Sequence, residues 1–255
     1  GGRTMRNSPT VKAMRYAGQT AQKSADKTVV VTKLADPRGL AYTHTLTLYA
    51  DNPAVEVVTS VENTGSEAHT LEMLSSFTLG SLSPFSAGLA PETLKIHRLR
   101  STWSAEGRLV TEAAEDLQLE PSWKCYSANS VRFGSVGSFP VRGFVPFCAV
   151  EDTAHGVTWA AATTQGSSWQ MELYRQDFGL SLSGGLADWE FGAWCKPLAP
   201  GACFTAPKAV LTAVCGGVDT AAQALAENTR RAIEPLLPAS EKTLSVLFNE
   251  FCSTW

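Results

Sequence analysis

Tyr42-Thr43-His44-Thr45-Leu46-Thr47-Leu48 is the stretch that decides the fold. Every residue between its larger side chains is a threonine, so the pattern has period two. A β-strand sends successive side chains to opposite faces, and this alternation describes a strand with one buried face and one wet face. The same period continues on both sides. Val29, Val31 and Lys33 alternate with Thr28, Val30 and Thr32, and Val55, Val57, Thr59 and Val61 oppose Glu56, Val58 and Ser60. The turn residues Asp36-Pro37-Arg38-Gly39, Asp51-Asn52-Pro53 and Asn63-Thr64-Gly65 punctuate these runs. One-sided strands joined by short turns form antiparallel sheets.

Further along, Leu71, Met73, Ser75, Phe77 and Leu79 continue the alternation, as do Trp169, Met171 and Leu173. Gly184-Gly185 and Pro200-Gly201 supply further breaks. Many short strands of this kind predict a β-sandwich or barrel from about residue 28 to 215. Residues 83–92 read as a loop, and 111–120 as a loop or short surface helix. Ser138–Phe147, with two prolines and three phenylalanines, reads as an irregular edge segment.

The pattern changes near residue 215. Asp219 is expected to cap a helix in which Ala221, Leu225 and Ala232 keep one side apolar, Arg230 and Arg231 suit its end, and Pro235 and Pro238 stop it. Leu244–Phe248 is then a continuous apolar run, as in a parallel strand buried on both faces. Three segments follow: a β domain over 1–217, a helical linker over 218–243, and over 244–255 the first strand of an α/β unit.

The 255 residues carry 21 Lys and Arg against 24 Asp and Glu, a net charge of −3, so the basic excess of a nucleic-acid binder is missing. No run approaches the length of a membrane-spanning helix. Six cysteines and four histidines show no paired zinc spacing, and no dinucleotide, phosphate-loop or calcium-loop pattern is present. The cysteines read as small buried hydrophobes and, with no secretory leader visible, a reducing, cytoplasmic setting is expected.

Three carboxylate groups, Glu106, Glu151-Asp152 and Asp188 with Glu190 around Trp189, have the residue type that glycoside hydrolysis needs, but they read better as turn and surface carboxylates, with Glu151-Asp152 in a hairpin turn. The seven tryptophans suggest sugar contact. Trp159 and Trp169 sit on strands and read as core, whereas Trp189 and Trp194 follow a Gly-Gly break and are the candidates for exposure.

Several stretches, taken in order, resemble the α-galactosidases of glycoside hydrolase family 36. They are Thr70–Phe77, His97–Leu109, Arg132–Ser138, Gly156–Trp159, Leu198–Pro207 and Val246–Trp255. The resemblance implies a mainly β protein, with an antiparallel β-supersandwich, a linker helix and a (β/α)8 barrel of which Leu244–Phe248 is the first strand. It implies that the earliest sandwich strands and most of the barrel lie outside this sequence. Both catalytic aspartates are then expected beyond Trp255, because the Lys-Trp-Asp motif of the nucleophile is absent, and this segment alone is expected to be inactive. The first barrel strand often carries Asn-x-Trp, and here Asn249-Glu250-Phe251 has Phe in the Trp place. Substrate contacts are therefore expected at Asn249 and Trp255, with Trp189 and Trp194 added from their loop positions. The resemblance further implies action on raffinose-type α-galactosides, no metal or organic cofactor, and a homo-oligomer such as a tetramer. Two rivals remain: a stand-alone carbohydrate-binding β-sandwich, and an assembly domain of an enzyme acting on another α-linked sugar.

Overall fold

The computed structural model describes residues 8–85, 93–120, 128–164, 166–176, 179–243 and 246. Sixteen strands dominate it. A single helical turn, α1 (Pro9–Ala13), leads into β1 (Arg15–Lys23), β2 (Lys27–Asp36), β3 (Leu40–Tyr49) and β4 (Ala54–Asn63), an antiparallel meander joined by the turns read above. Then come β5 (His69–Leu71), β6 (Ser75–Leu82), β7 (Leu94–Ser101), β8 (Arg108–Ala113) and β9 (Ala128–Ser135). β10 (Gly143–Asp152), β11 (Val157–Thr163), β12 (Trp169–Gln176) and β13 (Gly179–Leu186) follow. A four-residue helix, α2 (Trp189–Gly192), precedes β14 (Lys196–Leu198), β15 (Cys203–Thr205) and β16 (Ala209–Cys215). Among the described residues the long helix α3 (Val218–Ile233) is the last α-helix or strand, and short 3-10 turns follow it through Lys242.

A ten-stranded sheet runs β1-β2-β3-β4-β16-β11-β10-β7-β8, with β15 also on β4. A four-stranded sheet, β6-β13-β12-β9, packs on one face of it, and β5 with β14 forms a small third ladder. All the pairings are antiparallel, so the sandwich expected from the alternation is observed. The main core lies between the two large sheets and includes Val57, Ile96, Trp169, Met171, Leu180 and Leu182. α3 covers the opposite face. Its Ala221 and Leu225 rest on Ala54, Ala149, Ala160 and Val210, and these small side chains let the helix approach the sheet closely.

Five local expectations are corrected. The alternation from Leu71 to Leu79 is not one strand. β5 pairs with β14 and β6 with β13, so the chain changes sheets at residues 72–74. Ser138–Phe147 is not an edge, because only residues up to 142 are irregular, and β10 lies between β11 and β7. Pro146 is tolerated there because the β10–β7 ladder is interrupted between Phe144 and Cys148, where no N–H is required. The cap of α3 is Gly217, not Asp219, which sits in the first turn, where its charge still favours the helix dipole. Among the described cysteines only Cys148 is buried, and Cys195, Cys203 and Cys215 are exposed, while Cys125 and Cys252 lie outside the described residues. The stretch 111–120 splits into the end of β8 and a 3-10 turn at Glu115–Leu117. The apolar run Leu244–Phe248, apart from Val246, lies outside the described residues, as does the whole of 247–255.

Candidate functional site

β2, β3 and β4 turn one face toward the four-stranded sheet. On it the register places Leu34 beside Tyr42, Tyr42 beside Val61 and His44 beside Thr59. The segment 69–78 crosses above this face, and α1 and α2 close its ends. Between them lies a groove of ≈ 780 Å³. Its floor is apolar, built from Leu34, Leu40, Tyr42, Leu71 and Phe77. Apolar walls with a few convergent polar groups are the usual composition of a binding cleft.

Burial governs the polar groups. It pushes the Tyr42 phenol up to about 12, with the Asp36 charge adding to the effect. It pushes the half-buried His44 imidazole below its ordinary value, so His44 is neutral at pH 7. At one end Asp36 accepts from the Arg38 backbone N–H at 2.8 Å, from Nε at 2.9 Å and from Nη2 at 2.8 Å. The Arg38 side chain holds the Asp36 carboxyl below the usual carboxylate range despite burial. The turn that presents Arg38 is fixed from behind: His69 Nε2 lies 3.1 Å from its carbonyl oxygen.

The other end is the α2 turn. Asp188 is buried and caps it, accepting from the Phe191 N–H at 2.8 Å. Arg132 lies 3.6 Å from Asp188, 3.2 Å from Glu190 and 3.9 Å from Glu172, so one guanidinium serves three carboxylates. The remaining Asp188 oxygen, Oδ2, is buried without a hydrogen-bond partner. The cap turns Trp189 outward onto the rim of the groove, where 55% of its surface is exposed.

The carboxylate candidates therefore have structural work. Asp188 and Glu190 meet Arg132; Glu151 meets the buried His97 at 2.8 Å; Asp152 holds the following turn by accepting from Ala154 and His155 N–H groups. Glu106 accepts from the Ser104 N–H in an exposed turn. Among the described residues, no three His, Cys, Asp or Glu side chains gather as a metal ion requires.

Of the predicted contact residues, Trp189 is on the groove, while Trp194 is not a platform. It is half-buried against Phe204, ring centroids 5.6 Å apart, in the small cluster around β5 and β14. Trp169 is fully buried and donates from Nε1 to the Pro140 carbonyl at 2.5 Å, and Trp159 packs on the main core. Asn249 and Trp255 lie outside the described residues. The groove itself was not foreseen. Its residues come from seven separate elements, and only the Tyr42–His44 alternation hinted at it.

The same fold occurs in solved family 36 α-galactosidases. The chain superimposes on the Geobacillus stearothermophilus enzyme crystallised with stachyose at a TM-score of 0.68, with 16% identity over 85% of this chain and 30% of that one. For the Lactobacillus brevis α-galactosidase the values are 0.67, 17%, 86% and 29%. For the galactosidase domain of an α-galactosidase–sucrose kinase they are 0.67, 14%, 83% and 29%. This is a family 36 α-galactosidase fold, over about 30% of those enzymes' length. No family model and no curated protein matches the sequence. Among the described residues no helix is long and apolar enough to cross a membrane.

Proposed function

We propose that this chain is the N-terminal β domain of a glycosidase that releases terminal α-linked galactose from raffinose-type oligosaccharides. The observation that carries the reading is the shared fold: the chain superimposes on family 36 α-galactosidases, among them one Geobacillus stearothermophilus enzyme whose variants were crystallised with stachyose and with raffinose. In this reading residues 1–217 form the sandwich, 218–243 the linker and 244–255 the first strand of the catalytic barrel. Catalysis lies beyond Trp255. The domain braces the barrel, contributes to a cytoplasmic homo-oligomer and, through Asn249 and Trp255, shapes the substrate mouth. α3 is suited to the bracing role. It is bound to the sandwich through Ala221 and Leu225, and Asn52 Nδ2 donates to the Ala224 carbonyl at 3.1 Å.

The test is to express the whole reading frame and the 255-residue chain side by side and assay both on p-nitrophenyl α-galactoside and raffinose. The whole product is expected to turn over both substrates and the short chain neither. Turnover by the short chain, or inactivity of the whole product on every α-galactoside, refutes the assignment.

A second reading is favoured by one feature, the Trp189 ring exposed at the rim of a groove. A sugar-binding sandwich needs such an aromatic platform. Titrating galactose and melibiose against tryptophan fluorescence tests it. A saturable change that Trp189→Ala removes supports this reading, and a flat titration rejects it.

A further inference from the structure

The four-stranded sheet has a second face. Phe77, Phe133, Trp169 and Met171 point from it into the main core. Successive side chains of a strand alternate between faces, so Ser76 of β6, Arg132 and Gly134 of β9 and Gln170 of β12 point outward. Gly184 and Gly185 show the same split on β13. A Cβ added at Gly184 would meet Met171 and Phe77, and one added at Gly185 would meet Ser76 Oγ at 2.8 Å. On the outer face Gln170 stands between two glycines, Gly134 on one side and Gly185 on the other. α2 folds over this bare stretch. Phe191 Cε1 lies 3.1 Å from where a Gly134 Cβ would stand, and Asp188, the cap of α2, lies 3.6 Å from Arg132.

The ground under α2 is dry. Ser76 is 0% exposed, Asp188 2% and Gln170 6%. One oxygen of each, Ser76 Oγ, Asp188 Oδ2 and Gln170 Oε1, has no hydrogen-bond partner. Buried polar atoms are nearly always paired, so a single orphan already calls for a reason. These three are neighbours. Ser76 and Asp188 line the same groove, and Gly185 links Ser76 to Gln170, because it pairs with Gln170 and its Cβ direction points at Ser76 Oγ.

The three atoms cannot satisfy one another. A carboxylate oxygen and an amide oxygen only accept, and the Ser76 hydroxyl carries a single proton. Asp188 also brings a negative charge. Arg132 approaches its other oxygen, Oδ1, and is shared with Glu190 at 3.2 Å. A carboxylate taken out of water needs a countercharge close by. Oδ2 therefore faces a place lined by oxygen atoms and suited to a positive charge.

We propose that Asp188 Oδ2, Gln170 Oε1 and Ser76 Oγ bind an alkali-metal cation, sodium or potassium, beneath α2. Oxygen donors suit hard cations. One carboxylate among neutral oxygens suits a single charge, whereas calcium draws on several carboxylates. The ion ties β6, β12 and the α2 cap together and so steadies Trp189 on the rim. The inference stands on the sandwich alone and is independent of the glycosidase reading.

The test is a set of thermal melts of the 255-residue chain at constant ionic strength, with choline chloride exchanged for sodium or potassium chloride. One of the two ions is expected to raise the melting temperature saturably, by roughly 3–8 °C well above its dissociation constant. Ser76→Ala and Asp188→Asn are each expected to remove that increment. The first deletes an atom without a protein partner, and the second keeps an acceptor for the Phe191 N–H. Trp189→Ala, in the same turn but outside the oxygen set, keeps the increment. Sodium-23 and thallium-205 resonances, thallium standing in for potassium, read binding directly and should respond to the parent protein but not to Asp188→Asn. Equal melts in choline, sodium and potassium overturn the proposal and make a bound water what the three oxygens hold. An equal increment in Asp188→Asn overturns it as a general salt effect. Stabilisation by calcium with no response to sodium or potassium overturns the choice of ion. If the short chain does not fold, the same melts and spectra of the whole reading-frame product decide.

Discussion

Gly134→Ala probes the packing that aims Trp189. Gly134 lies on β9 opposite Gln170 of β12. A Cβ added there would come within 2.1 Å of the Trp169 carbonyl oxygen and 2.9 Å of the Gln170 Cα, with Phe191 Cε1 at 3.1 Å. The first two are backbone atoms and cannot rotate away, so β9 must part from β12. Overpacking a tight core costs about 1–3 kcal/mol, and backbone contacts place this case near ~3 kcal/mol. In a domain of this size that lowers the melting temperature by roughly 6–12 °C. Phe191 must move as well, and it lies in the same turn as Trp189, so the tryptophan emission of the native protein should shift. Circular-dichroism melts and fluorescence spectra measure both. Gly166→Ala is the control: nothing lies within 4 Å of its added Cβ, and its φ is unexceptional, so its melt should stay close to the parent's. If the two variants melt together, the pairing of β9 with β12 at this point is wrong, and with it the account of how the rim is held.

Three further outcomes are expected. Asp188→Ala removes the α2 cap and one partner of Arg132 and should cost about 1 kcal/mol or more, whereas Asp188→Asn keeps an acceptor for the Phe191 N–H and should cost less; chemical denaturation midpoints order the two. Asp36 and Asp152 are both held below their ordinary value of 3.8, Asp36 by the Arg38 side chain, and Asp152, against its burial, by the Ser83 hydroxyl and the His155 ring and N–H. The folded state then binds fewer protons than the unfolded one, so their contribution is complete above about pH 5 and is lost as pH falls through the folded values; Asp152→Asn should flatten that acid loss in denaturation midpoints taken over roughly pH 2–6. Burial pushes the Cys148 thiol up to about 12, so in the native protein a thiol reagent should label the exposed Cys195, Cys203 and Cys215 and spare Cys148, as peptide mass mapping can check.

Local chemistry made much of the fold legible. Period-two runs and turn residues mark β2, β3 and β4 almost to the residue, because these strands pair with one another as sequence neighbours, while the distant β15 and β16 join only the far side of β4. Legibility fails where the partner is distant. β5 and β6 share one unbroken alternation and yet join different sheets, since β14 and β13 claim them from more than a hundred residues away. β10 carries a proline and still lies inside the sheet, because an interruption in the β10–β7 ladder removes the need for that N–H. The tryptophans show the same limit. Trp189 and Trp194 stand five residues apart in one loop, and only the position of Phe204 on the small β5–β14 cluster turns one into packing and leaves the other on the rim.

The groove is the sharper case, because core and binding surface are written in the same residues. Leu46 and Leu48 are two apart on β3 and point the same way. Leu46 packs on the main core, beside Val57, while Leu48 stands open to solvent. Nothing in their neighbours along the chain separates them. What does is whether the second sheet passes overhead, and among the described residues that sheet ends at β6. Which of two like-patterned positions is covered is therefore set by the width of the second sheet, which a sequence read strand by strand cannot contain. The polar groups agree. His44 and Tyr42 have already lost much of their water to the groove, as the lowered imidazole and raised phenol values record. That loss is tolerated because a neutral group costs far less to bury than an ion does.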